Sequence, residues 1–155
     1  MRVSLLCIGG KMPAWVEDGV AEYRKRLPAE IQLDIRELPM AKRGKTTDIR
    51  RAIAQEGEAL LAAVPKGDVV IALDVLGKSV STESLAASLR QWQMEGDNIS
   101  ILVGGPDGLA AECLSAARQK WSLSAMTLPH PLVRVVFAEQ LYRAWTILAN
   151  HPYHR

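Results

Sequence analysis

An α/β fold with a parallel sheet covered by helices on both faces is predicted by three observations in the 155-residue sequence. Short apolar runs alternate strictly with longer helical patterns. Val3 to Ile8, Val69 to Asp74 and Ile99 to Val103 are apolar at most positions, as strands buried on both faces require. A glycine cluster, Gly104, Gly105 and Gly108, directly follows one of them, where a parallel sheet places its ligand loops.

Strands are expected at Val3 to Ile8, Ile31 to Leu38, Val69 to Asp74, Ile99 to Val103 and Ser122 to Thr127. The gaps read as helices at Ala14 to Leu27, Asp48 to Val64, Glu83 to Met94, Ala110 to Gln119 and Leu132 to Asn150. Pro13, Pro28, Pro65 and Pro131 mark boundaries, and Ser81 or Thr82 suits the N-cap of the third helix. No repeat, linker or low-complexity tract interrupts the pattern, so residues 1–155 are expected to form one domain. The last helix carries Leu132, Val133, Val135, Val136, Phe137, Leu141, Tyr142, Trp145, Ile147 and Leu148, more than the roughly 100° stripe that one core needs. A homodimer through this helix is expected, though a helix sandwiched within one chain has the same signature. Glu139 and Arg143, four residues apart, are expected to pair on its polar edge.

Hydrophobic residues at 48% and charged residues at 23% are ordinary globular values. A net charge of +2 permits an RNA partner but falls short of a strongly basic nucleic-acid-binding domain. The apolar start is too short for a signal peptide and lacks a cleavage site, so it reads as a strand. Arg134, Glu139, Gln140 and Arg143 interrupt the longest apolar segment, which argues against a membrane span. A soluble cytoplasmic protein is expected. Cys7 and Cys113 belong to no Cys-x-x-Cys pair and read as reduced core residues.

Four motifs invite chemistry. Gly44-Lys45-Thr46 ends like a phosphate-binding loop, but Pro39 occupies the position of its first glycine and lacks an amide hydrogen. The basic run Lys42, Arg43 and Lys45 is then either a solvated loop or a contact to a phosphate backbone. The spacing of Gly104-Gly105-Pro106-Asp107-Gly108 differs from the dinucleotide fingerprint, which disfavours NAD. Taken alone it is a tight strand-to-helix turn. His130, His151 and His154 make a poor metal-ligand pattern without an adjoining cysteine or acid, so no metal is expected. The terminal Tyr153-His154-Arg155 would by default be a frayed end, yet it supplies a hydroxyl, a titratable imidazole and a fixed cation.

The segments LVGGPDG, WSLSAMTLPHPLVRVVFAEQLYRAW and NHPYHR resemble the ribosomal RNA large subunit methyltransferase H family of SPOUT α/β-knot methyltransferases. The likeness extends to KMPAWVEDGVAEYRKRLP and AKRGKTTDIRRAIAQEGE, so it covers essentially the whole chain. It implies a trefoil-knotted sheet, a homodimer, S-adenosylmethionine as donor, no metal, and methylation at N3 of a pseudouridine in 23S ribosomal RNA of the assembled ribosome. Carried over residue by residue, it implies a cofactor pocket at Leu73, Gly104, Leu123, Ser124, Ala125, Met126, Thr127 and Leu128. Within the tail, His154 is the first candidate for the base, Tyr153 for positioning or relay, and Arg155 for charge stabilisation. His130 is expected to fix its corner, and Lys42, Arg43 and Lys45 to contact RNA. The rival from another class is a noncatalytic ribosome-binding or assembly factor, for which the glycine turn is purely structural.

Overall fold

The computed structural model describes residues 1–155. Five strands, β1 (Arg2–Ile8), β2 (Gln32–Leu38), β3 (Val69–Ser79), β4 (Ile99–Val103) and β5 (Gln119–Ser122), form one parallel sheet in the order β2-β1-β4-β3-β5. Between them lie α1 (Ala14–Arg24), α2 (Ile49–Ala63), α3 (Thr82–Glu95) and α4 (Ala111–Ala116), and α5 (His130–Leu148) follows β5. The expected class, a parallel sheet with helices on both faces, is the one observed.

Alternation along the strands divides the core in two. Val3, Leu5, Cys7, Ile71, Ile99 and Ile101 face α1, α3 and α5 in a cluster of 20 buried residues that includes Leu89, Phe137 and Leu141. Leu6, Ile8 and Leu102 face the other way, with Leu60 of α2 and Ala110 and Cys113 beside α4, in a cluster of only six. Both cysteines are buried free thiols. Burial pushes the Cys7 thiol up to about 11 and raises that of Cys113 as well, so both stay protonated at neutral pH.

The long apolar helix α5 lies between α1 and α3. This sandwiched arrangement is one of the two readings of its broad apolar surface; it buries Phe137, Leu141 and Tyr142, while Leu132 is exposed and the other residues of that surface stay half-buried. Its end is defined: Asn150 adopts a left-handed conformation at φ 59°, and the His151 amide donates to the Thr146 carbonyl at 2.8 Å. The chain then reverses into a 3-10 turn, Pro152–His154, that packs on α5 instead of fraying.

Two element boundaries depart from expectation. The last strand is Gln119–Ser122, so residues 123–127, expected to be strand, lie beyond it as irregular backbone. Alternation of apolar and small residues at the start of Ser122 to Thr127 imitates a strand, but of these residues only Ser122 finds a partner on the lengthened β3. That strand continues past Asp74 through a register shift between Leu73 and Lys78, after which Lys78 and Ser79 pair with Trp121 and Ser122. The close approach is glycine-dependent, since a Cβ on Gly77 would lie 2.7 Å from the Lys120 backbone.

Helix starts follow local capping chemistry. Asp48 accepts from the Arg50 amide at 3.0 Å, and Ser81 accepts from the Ser84 amide at 3.0 Å, which settles the cap of α3 in favour of Ser81. Replacing Ser81 with Ala is expected to lower stability by about 1 kcal/mol, read as a lower midpoint at unchanged slope in urea unfolding. An unchanged midpoint would mean that this cap adds nothing to α3.

Candidate active site at the carboxyl ends of the strands

The connection leaving β1 runs to β2 on one side, whereas that leaving β4 runs toward β5 on the other. Loops diverge at such a switch point, and the crevice between them is where open parallel sheets bind ligands. A cavity of about 980 Å³ opens there, at the upper end of the usual range for small-molecule sites. Ile8 and Gly9 after β1, Leu73 and Asp74 of β3, Gly104 after β4 and the segment following β5 all line it.

Of the eight residues expected to hold a cofactor, Leu73, Gly104, Leu123, Ser124, Met126, Thr127 and Leu128 lie in its wall. Ala125 is exposed and is absent from the lining. The segment is held in shape locally: Ser122 Oγ donates to the Ser124 carbonyl at 3.0 Å, and Ser124 Oγ accepts from the Met126 amide at 2.9 Å. At the turn, Gly105 and Gly108 form a small antiparallel bridge. A Cβ on Gly104 would sit 2.7 Å from the Gly108 carbonyl carbon, so the backbone there closes only around glycine.

The lining is mostly apolar, and Asp74 and Asp107 are its acidic members, with no lysine or arginine among them. Asp107 is paired with Arg43 at 3.0 Å. Asp74 makes only a local contact, accepting from the Leu76 amide at 3.3 Å. Such a wall favours a ligand with an apolar body and a positive charge. His130, at the first turn of α5, also lines the cavity, and its buried Nε2 has no hydrogen-bond partner. Burial, reinforced by the nearby Arg134 cation, holds this imidazole below its ordinary pKa, so it is neutral at pH 7. Among residues the sequence reading did not assign, Ile8 and Gly9 were findable as another strand end. Met12, Met40 and Val133 carry no such signal.

The tail lies elsewhere. Tyr153 packs edge-on against Tyr142 at 4.7 Å between ring centroids, lies under the Arg143 guanidinium at 4.9 Å, and donates its hydroxyl to Glu139 at 2.9 Å. Glu139 and Arg143 make the expected ion pair, at 2.8 Å. Burial and the bond to Glu139 push the Tyr153 phenol well above its ordinary value, so it remains a donor. His154 has a buried Nδ1 without a partner, and Arg155 is exposed. None of the three lines the cavity. The cavity meets α5 at His130, and the tail leaves its other end after 19 residues, about 28 Å away along the axis.

The basic loop divides in a similar way. Lys42 and Lys45 are exposed and make no ion pair, whereas Arg43 is held by Glu56 and Asp107. Its guanidinium is therefore not the free phosphate ligand that the sequence suggests.

A parallel sheet with a crevice at its switch point and a glycine turn in the wall is the arrangement in which α/β proteins bind a nucleotide or cofactor. Residues 1–154 match the family described as "Predicted SPOUT methyltransferase", and the chain belongs to that family. Over its whole length it is 58% identical to a protein of Marinomonas sp. and 59% identical to one of Saccharophagus degradans, each also covered in full. Both relatives are named ribosomal RNA large subunit methyltransferase H, and within the SPOUT methyltransferases the chain falls in that group.

Proposed function

We propose that the chain transfers a methyl group from S-adenosylmethionine to N3 of a pseudouridine in 23S ribosomal RNA within the assembled ribosome. The observation that carries the reading is the cavity itself, in which β1, β3, β4 and β5 converge on a mostly apolar hollow whose acidic residues are Asp74 and Asp107. Residues present fit the donor. Leu73, Leu123, Met126 and Leu128 suit an adenine ring, Gly104 permits close backbone approach, and Asp74 complements a sulfonium or ammonium charge. Bound there, the donor supplies a methyl group activated by positively charged sulfur.

The chain must supply the rest. The N3 proton of the acceptor has to leave, because the protonated imide nitrogen offers no available lone pair. His154 takes that proton, Tyr153 positions the acceptor, and Arg155 stabilises the charge spread onto the base carbonyl. The span of α5 keeps one chain's tail away from its own cavity, which supports a homodimer in which each tail serves the partner's pocket. Exposed apolar side chains at the cavity rim, Met40, Val75 and Met126, and next to it Leu76 and Leu132, supply surface for that association. The trefoil threading is carried over from the family to which the chain belongs.

Lys42 and Lys45 make the phosphate contacts, with Arg43 holding the loop that carries them. Recognition then rests on the shape of the folded ribosomal surface. No helix is long and apolar enough to cross a membrane, in keeping with work on cytoplasmic ribosomes.

Tritiated methyl transfer to ribosomes from cells lacking this protein, with mass-spectrometric mapping of the product, tests the reading. Label at a single pseudouridine N3 is expected. Absence of transfer together with no calorimetric donor binding at millimolar concentration would instead favour the noncatalytic ribosome-binding factor.

A further inference from the structure

Glu56 lies within α2 and is 3% exposed, unusual for a carboxylate, and both of its oxygens are engaged. Oε2 accepts from the Ala41 amide at 3.0 Å and from Arg43 Nη1 at 2.6 Å, while Oε1 accepts from Arg43 Nη2 at 3.0 Å. The opposite edge of the guanidinium is used as well, with Nε donating to Asp107 Oδ2 at 3.0 Å and Nη1 also donating to the Ala41 carbonyl at 2.8 Å. One arginine thus joins the middle of α2, the loop before it and the glycine turn after β4.

This clasp borders the cavity on two sides. Asp107 belongs to the turn from Gly104 to Gly108, and Gly105 lies so close to the same carboxylate that an added Cβ would be 3.4 Å from Glu56 Oε1. Met40, which lines the cavity, immediately precedes Ala41, the residue whose amide and carbonyl are both bound. Fixing Ala41 therefore fixes Met40, and fixing Asp107 fixes the turn.

We propose that Arg43 is a positioning residue for methyl transfer, which by bridging Glu56 and Asp107 sets the glycine turn and Met40 in the shape that grips the donor. The proposal rests on the donor reading of the cavity. It acts through geometry: a planar fork reaches two carboxylates and a carbonyl at once, and a lysine ammonium on a flexible stem cannot. It also gives the basic loop a role distinct from binding phosphate.

The test compares Asp107→Ala, Arg43→Lys and their combination with the wild-type dimer. Asp107 is the more exposed end of the clasp, so Asp107→Ala leaves Glu56 paired and the fold intact. S-adenosylhomocysteine affinity by calorimetry is expected to fall about 5- to 20-fold in each single variant, the scale of one charge-assisted hydrogen bond. KM for the donor should rise more than kcat falls, with the melting temperature of Asp107→Ala nearly unchanged. The double variant should be no weaker than the weaker single, because both remove one connection. Hydrogen exchange of the Gly108 amide, bonded to the Gly105 carbonyl at 3.1 Å, should accelerate without donor present. Unchanged donor affinity in well-folded single variants overturns the proposal, as does a defect confined to KM for ribosomes and its salt dependence. Failure of the wild-type chain to bind S-adenosylhomocysteine overturns the donor reading and this proposal together.

Discussion

Deleting Tyr153, His154 and Arg155 is expected to lower methyl transfer by about 10³ or more while S-adenosylhomocysteine affinity stays within about twofold, because the proposed base and charge stabiliser leave together. The cavity proposed for the donor is lined from Ile8 to Val133 and includes none of the three. Folding should survive, since the tail covers only the outer part of α5 and Glu139 keeps Arg143 as its partner. The sharper form of the experiment uses two defective subunits. A heterodimer joining a tail-deleted chain to a chain with a blocked pocket contains one complete site if tails act across the dimer, and should recover about half of wild-type activity. If each tail served its own pocket, that heterodimer would contain no complete site. An inactive heterodimer therefore rejects the shared site, and full activity of the tail-deleted homodimer rejects the tail's role altogether.

Gly104→Ala should supply the blocked pocket. The added methyl would meet the Gly108 carbonyl carbon at 2.7 Å and its oxygen at 2.8 Å, closer than unstrained atoms approach. Backbone, not a yielding side chain, stands in the way, so the turn must open. Donor affinity is expected to fall by about 100-fold, read by calorimetry, with transfer falling in parallel at subsaturating donor. The sheet should persist, because β4 ends at Val103 and is paired on both sides by β1 and β3. Wild-type donor affinity in Gly104→Ala would mean that the donor binds elsewhere, and would return the glycine turn to a purely structural role.

Much of the architecture was legible because its signals are local. Apolar runs of strand length bounded by proline and glycine placed four of five strands within a residue or two at their starts, and a side-chain cap placed the start of α3. The last strand failed because residues 123–127 have no partner beside them, whereas Gln119 to Trp121 pair with Ile71 to Leu73 and Ser122 with Ser79 on the unforeseen extension of β3. Register shifts depend on tertiary pairing, which no period of two reveals. The site shows the same division. Gly104 and the Leu123 to Leu128 segment follow strand ends, where a general rule directs attention, and Leu73 lies at the irregularity within β3 where the sequence ends its strand, but Met40 reaches the cavity through a loop. Arg43 looks like a free cation in its basic run; only the fold brings Glu56 and Asp107 to it from 13 and 64 residues away.

The two faces of the sheet are stocked unequally, with 20 buried residues beneath α1, α3 and α5 and six beneath α2 and α4. Resistance to global melting is therefore concentrated in one half of the molecule, leaving the thinner half free to breathe at low cost. The glycine turn leads into α4 and the Arg43 loop into α2, so both hang from that thinner half. Substrate exchange can proceed by local fluctuation there while the heavier layer keeps the chain from unravelling.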